Sequence, residues 1–174
     1  EEELTKQINT HFIWGETLYH VQDLPISLVE LPDTFTTFRK LVEKKSAVRE
    51  AFEAPVHLNS PADFGTKIPS LDALGFENPT LDERTVIQFK GGAQAGSDRL
   101  DYYLWRSELL ANYKQTRNGL IGGDYSSKFS PWLALGCISP RQVYWQVKKF
   151  ERYIKKNSST YWLIFELIWR DYFH

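Results

Sequence analysis

The densest chemistry in this sequence lies in YSSKFSPW, Tyr125 to Trp132. Ser126, Ser127 and Ser130 supply three hydroxyls and Lys128 an ammonium. Ser130-Pro131 is a helix-start signature, and the first N–H groups of a helix have no partner within the chain. Such a cluster suits an anion, above all a phosphate. The same text also reads as a Ser-Pro cap with spare serines, and the residues alone leave both readings open. Upstream, Tyr113 and Arg117 stand four apart and share a helix face. They either face one ligand together or are a packed tyrosine and a solvated arginine. Downstream, ELIWRDYF (166–173) sets Glu166 four residues before Arg170, as an intrahelical ion pair prefers, and strings Glu166, Trp169 and Phe173 along one stripe. A carboxylate beside an indole can grip an unstacked base, the ring stacking and the carboxyl meeting the base edge. A salt bridge flanked by core aromatics is the competing reading. His11, His20, His57 and His174 have no metal-ligand spacing, and GxSxG, HExxH and Walker sequences are absent, so hydrolase and metalloenzyme chemistry has no support.

These groups need elements to hold them. TFTTFRKLVEKKSAVREAFE (34–53) places Phe35, Phe38, Leu41, Val42, Val48 and Phe52 at mostly three- and four-residue steps, which predicts an amphipathic helix capped by Asp33 or Thr34. Residues 11–25 begin with β-branched and aromatic side chains and stop at Asp23 and Pro25, which predicts a strand and its exit. Residues 54–88 hold four of the eight prolines without periodicity and read as a linker, with a boundary near Phe89. Beyond it the spacing predicts a helix capped by Ser97 and ended by Gly119, Gly122 and Gly123. Two Ser-Pro starts follow at Ser130 and Ser139, and a last helix begins at Ser158 or Ser159. That last helix is apolar around most of its circumference, so it must lie deep and have neighbours on several sides. The sequence is therefore expected to be a fragment of a longer protein.

The 174 residues carry a net charge of −1, but the total hides an asymmetry: residues 88–174 hold 13 Lys and Arg against 7 Asp and Glu, and 18 of the 26 aromatic side chains. Basic charge interleaved with aromatics suits phosphates and the rings of bases or flavins, and an aromatic-rich helical core with solvated lysines has the same composition. The lone Cys137 forms no internal disulfide and sits in an apolar stretch as a small core residue. No apolar run approaches the roughly 20 residues that span a bilayer, and no leader is visible at the N-terminus, so no membrane insertion is expected.

Taken together, WGETLYHVQDLP, FRKLVEKKSAVR, FKGG, NYKQTRNGLIGGDYSSKFSPWLALGCISPRQVY and STYWLIFELIWRDYF stand in the order and spacing of the photolyase and cryptochrome flavoproteins, and the sequence most resembles their DASH branch. The resemblance covers nearly the whole chain. It implies a mostly α fold: residues 1–25 as the last strand and exit of an α/β (Rossmann-like) antenna domain, 26–88 as connecting helix and linker, and 89–174 as the first part of a helical FAD-binding domain.

It further implies FAD contacts at Tyr113, Ser126, Ser127, Lys128, Phe129 and Ser130, and a DNA contact at Arg117. A pocket for a flipped pyrimidine dimer would be lined by Glu166, Leu167, Ile168, Trp169, Arg170, Asp171, Tyr172 and Phe173, with Glu166 hydrogen-bonding the dimer and Trp169 stacking on it. The implied activity of the full-length parent is that of a deoxyribodipyrimidine photolyase, a carbon-carbon lyase: blue-light-driven electron transfer from reduced flavin splits cyclobutane dimers, mainly in single-stranded DNA. A blue-light-sensing cryptochrome that binds FAD and nucleic acid without repair is the alternative. A folate antenna (methenyltetrahydrofolate), no metal, a monomeric state, and a cytoplasmic location in bacteria or a chloroplast or mitochondrial one in eukaryotes complete the expectation. Two positions depart from the family pattern: Leu163 stands where other photolyases carry a flavin-contacting Trp, with Trp162 one step away, and Ala93-Gln94 replaces the usual glutamate after FKGG.

Overall fold

The computed structural model describes residues 6, 8–11, 13–57, 59, 65, 67–77 and 80–174. They form two compact units. One comprises the described residues of Glu1–Ala51 with Phe89–His174; the other is Phe52–Gln88. The second contains a single 3-10 turn, Asp72–Leu74, closed by Gly75 at φ +78°, and is otherwise irregular among its described residues.

The first unit is helical, and no strand occurs among the described residues. Where a strand was expected, residues 16–20 form a bent strap with no neighbouring strand to pair with. The backbone N–H groups of Leu18 and Tyr19 instead donate to the Asp171 carboxylate at 2.8 and 2.9 Å. Thr17 accepts from the Trp14 indole at 2.6 Å and donates to the Tyr19 carbonyl at 2.5 Å. A carboxylate thus does for this segment what a sheet ladder does elsewhere. Phe12 lies outside the described residues.

Helix α1 spans Phe35–Lys45 and follows Thr34, whose hydroxyl bonds to that of Thr37 rather than to a backbone N–H. It stops well short of residue 53: Ser46 is extended, Val48 only leans on the core, and Phe52 is almost fully exposed. Phe35, Phe38 and Val42 fill its buried face. Helix α2 spans Ala93–Asp101 and runs into a π-helical turn, Tyr102–Arg106, then a 3-10 turn, Leu109–Asn112, and the single turn α3, Tyr113–Thr116. Its cap is Gly92, five residues earlier than the expected Ser97, so Gly96 falls inside it. A Cβ at Gly96 would lie 2.8 Å from Ile138 and 3.1 Å from Trp132, so the glycine is what lets α2 approach the next helices. The Trp132 indole fixes the entrance to α2 by donating to the Lys90 carbonyl at 2.8 Å.

The short α4 (Ser130–Ala134) has Ser130 as its first residue, one position inside the expected cap, with Phe129 flanking it. Helix α5 (Pro140–Tyr153) starts as read: Ser139 and Gln142 form a reciprocal capping box. Helix α6 (Ser158–Phe173) begins at Ser158, as read, and is capped by Asn157, whose carboxamide accepts from the N–H groups of Ser159 and Thr160 while donating to the Ala111 carbonyl at 2.8 Å. As its apolar circumference requires, α6 is the central element. It packs against α1, α3, α5 and the Leu109–Asn112 turn, burying Leu163, Ile164, Leu167 and Ile168. Each such side chain contributes about 1.5–3 kcal/mol.

Candidate functional site

One loop and three helices converge on one groove of about 570 Å³, lined by Tyr113, Ser126–Ser130, Leu133, Ala134, Leu163, Glu166, Leu167 and Arg170. The hydroxyl cluster, Tyr113 and part of the Glu166 helix, read from separate stretches of sequence, therefore meet.

The loop that carries the hydroxyls is held from beneath by Arg99 on α2. Its guanidinium donates to the carbonyls of Gly123 (2.8 Å), Ser126 (3.2 Å) and Ser127 (3.0 Å) and to the Asp124 carboxylate (3.2 Å). It also lies 5.3 and 5.4 Å from the ring centroids of Tyr102 and Tyr103. Only 10% of this side chain is exposed, so its charge is matched by a fan of carbonyl dipoles and one carboxylate. Lys128 adopts φ +58°, which costs a non-glycine residue about 1–2 kcal/mol. Its ammonium rests 3.7 Å from the Tyr125 ring centroid and donates to that tyrosine's hydroxyl, which offsets the strain. Gly119 permits this: a Cβ there would meet Tyr125 at 2.9 Å. Phe129 is buried, edge-on to Tyr103 at 5.9 Å, and so anchors the loop in the core.

Across the groove Glu166 pairs with Arg117, and the Arg117 guanidinium lies 5.8 Å from the Trp162 ring centroid. The intrahelical pair of Glu166 with Arg170 is not made. Arg170 reaches instead to Glu16, through its carbonyl and its carboxylate (3.3 Å), and to the Leu133 carbonyl (3.5 Å). Glu166 is already taken by Arg117, and Arg170 gathers several acceptors from Glu16 and Leu133 where the helix offers it one, a surface i,i+4 pair being worth only about 0.2–0.5 kcal/mol. Burial, helped by the Glu166 carboxylate, holds the Tyr113 hydroxyl above its ordinary range, with Arg117 pulling the other way, so it remains a donor at neutral pH.

The rest of the 166–173 run does not reach the groove. Ile168 is fully buried. The Trp169 ring stacks on Phe35 at 3.6 Å and lies near-parallel to Phe173 at 5.6 Å. Tyr172 donates to the Pro32 carbonyl at 2.9 Å, and Asp171 holds the 16–20 strap. A helix shows one face to a groove, and Glu166, Leu167 and Arg170 occupy it, while the indole faces α1. Sequence reasoning missed Arg99 and the groove residues Leu133 and Ala134, while Leu163, singled out as a departure at a flavin-contacting position, does line the groove. The available signal for Arg99 was a cation one and four residues from the apolar-stripe residues Leu100 and Tyr103.

Burial pushes the Asp171 carboxyl up to about 6, with its two N–H partners and the Arg170 and Arg141 charges opposing. A carboxyl raised on folding binds its proton more tightly in the folded state. Its stabilising contribution is complete below about pH 4 and is lost as the pH climbs through about 6. Thermal melts from about pH 4 to 6.5 are expected to show falling stability that flattens in Asp171→Asn. An unchanged slope in the variant would assign the effect elsewhere.

No family model matches the chain. It is 54% identical over 161 residues to a cryptochrome DASH of Gloeobacter violaceus, a match covering 92% of this chain and 32% of the relative. A cryptochrome DASH of Synechocystis sp. is 50% identical over 161 residues (92% and 33%), and a chloroplastic/mitochondrial cryptochrome DASH of Arabidopsis thaliana is 49% identical over 164 residues (92% and 28%). The crystal structure of a Synechocystis sp. cryptochrome superposes with a TM-score of 0.85 at 51% identity, over 92% of this chain and 33% of that one. The chain spans about a third of the length of the curated relatives it matches. No helix among the described residues is long and apolar enough to cross a membrane.

Proposed function

Since this chain is homologous to the cryptochrome DASH proteins over the third of their length that it spans, and so belongs to the photolyase/cryptochrome family, we propose that its groove holds the diphosphate and ribityl chain of FAD. The residues fit such a group. Ser126, Ser127 and Ser130 offer hydroxyls, Lys128 and Arg170 offer cations, and Leu163 and Leu167 offer apolar walls for a ring system. The one carboxylate among them, Glu166, is already matched by Arg117. The observation that carries the reading is this convergence of Tyr113 and Ser126–Ser130 on one side and Glu166 on the other.

When bound, reduced FAD supplies light-driven electron transfer. The chain's own residues grip the phosphates, keep the Tyr113 hydroxyl protonated, and present Glu166 and Arg117 at the groove mouth. Glu166 meets the base edges of a cyclobutane pyrimidine dimer there, and Arg117 meets the adjoining phosphate. A dimer in single-stranded DNA enters most readily, because no duplex stack must be broken. Residues 1–25 belong to an α/β domain carrying a folate antenna, 26–88 to the connection, and 89–174 to the FAD domain; the protein acts as a monomer. In a plant host the location follows the chloroplastic/mitochondrial relatives, and in a bacterium it is cytoplasmic.

One observation favours the signalling alternative: the Trp169 ring, assigned to stack on the dimer, is already stacked on Phe35 at 3.6 Å. The test is blue-light irradiation of dimer-containing oligothymidylate with the protein extended to the length of its relatives, beside a dark control and a flavin absorption spectrum. Flavin with light-dependent loss of dimer supports repair. Flavin without loss leaves signalling, and an absence of flavin defeats both.

A further inference from the structure

Five cations with no counterion among the described residues gather where α5 ends, α6 begins and α3 lies alongside. Between Pro140 and Phe165 there are six basic residues and one acid, Glu151. Glu151 is taken, by Lys148 at 2.6 Å and the Thr160 hydroxyl at 2.8 Å. Lys149, Arg152, Lys155 and Lys156 are exposed, and none forms an ion pair among the described residues. The turn between the helices is tied to the Leu109–Asn112 turn by the Asn157 bond to Ala111, and α3 to α6 by the Lys114 N–H donating to the Ser159 hydroxyl at 3.2 Å. That brings the exposed, unpaired Lys114 to the same corner, its ammonium 4.4 Å from the Trp162 ring centroid.

We propose that this corner binds the phosphate backbone of a single nucleic-acid strand whose neighbouring segment lies in the Glu166 groove. The inference rests on the nucleic-acid reading of that groove and extends it to a second surface. Three features favour a nucleic acid over other polyanions. The corner is continuous with the groove, since Lys114 and Arg117 lie over the same Trp162 ring and Arg117 pairs with Glu166. Cations and aromatics interleave there: Lys149 lies 5.5 Å from the Trp105 ring centroid and Arg152 5.4 Å from that of Tyr153. Tyr153 is 62% exposed and offers a ring face to an unpaired base. Contacts of this kind are salt-sensitive and indifferent to sequence.

The test is fluorescence anisotropy of a labelled, lesion-free oligothymidylate of about 16 nucleotides, titrated in salt. Substituting Arg152→Ala, Lys155→Ala and Lys156→Ala together removes exposed side chains only. With roughly 0.7 per lost phosphate contact, the plot of log affinity against log salt should become less steep by about 2, and affinity at about 50 mM salt should fall at least tenfold. Arg117→Ala, the groove control, should flatten the slope by about 0.7. An unchanged triple variant beside a weakened Arg117→Ala would overturn the corner and spare the groove. If neither variant changes, the nucleic-acid reading fails with it. Loss of binding to phosphatidylserine vesicles with oligonucleotide binding intact would reassign the corner to a membrane surface and overturn the proposal.

Discussion

Arg99→Ala is expected to cost about 1–3 kcal/mol of unfolding free energy and to release residues 123–128 from their folded position. The guanidinium is nearly buried and satisfies three backbone carbonyls and the Asp124 carboxylate, while Asp124 is also held by the Tyr102 hydroxyl at 2.9 Å. Truncation leaves the three part-buried carbonyls without that donor, while the half-exposed Asp124 keeps the Tyr102 hydroxyl and water. The least costly escape is local opening of the loop rather than unfolding of the core behind it. Amide exchange at 123–128 should rise well before that of α5 and α6. Flavin occupancy of the extended protein should fall more than tenfold, because Ser126–Ser130 then lose their common geometry. Arg99→Lys keeps the charge but not the fork and should fall between the two. Unchanged exchange at 123–128 in Arg99→Ala would show that the loop is held by other means.

Glu166→Ala should separate substrate handling from cofactor retention. The carboxylate faces the groove mouth, opposite the serine loop, and its partner is Arg117. In the protein extended to the length of its relatives, light-driven dimer loss should fall by about 10²-fold or more, as for loss of one directed hydrogen bond at a reacting group. Flavin occupancy should stay within about twofold of the parent. The same change frees Arg117 for phosphate, so binding of undamaged single strands should tighten and its salt slope steepen by about 0.7. Glu166→Gln keeps the shape and removes the charge, and should share the second effect. Equal loss of flavin and repair in Glu166→Ala would instead place this residue among the cofactor's contacts.

Much of the groove was legible because its parts are local. YSSKFSPW carries its hydroxyls and lysine within eight residues, and Tyr113 with Arg117 stands on one helical turn and its boundary. The capping box at Ser139 and Gln142 was readable for the same reason: it involves neighbours three apart. What failed was anything decided by a partner far along the chain. Glu166 chose Arg117, 49 residues away, over Arg170, four away; Trp169 chose Phe35; and residues 16–20 closed on Asp171 instead of pairing in a sheet. Local periodicity also overran the end of α1, since Val48 and Phe52 continue its pattern while the chain beyond Ser46 is extended.

The sequence by itself determined where α5 starts, which stretch carries the hydroxyls and cations, and the family the chain resembles. Those are properties of residue type and short spacing, and they survive in any environment. Only the tertiary structure decided which face of α6 meets the groove, that a buried arginine on α2 organises the serine loop, and that the lysines of the α5–α6 corner are left without acids. Each depends on which dipoles, rings and charges are close once the core has packed, and a helix of 16 residues can turn only one face toward a ligand.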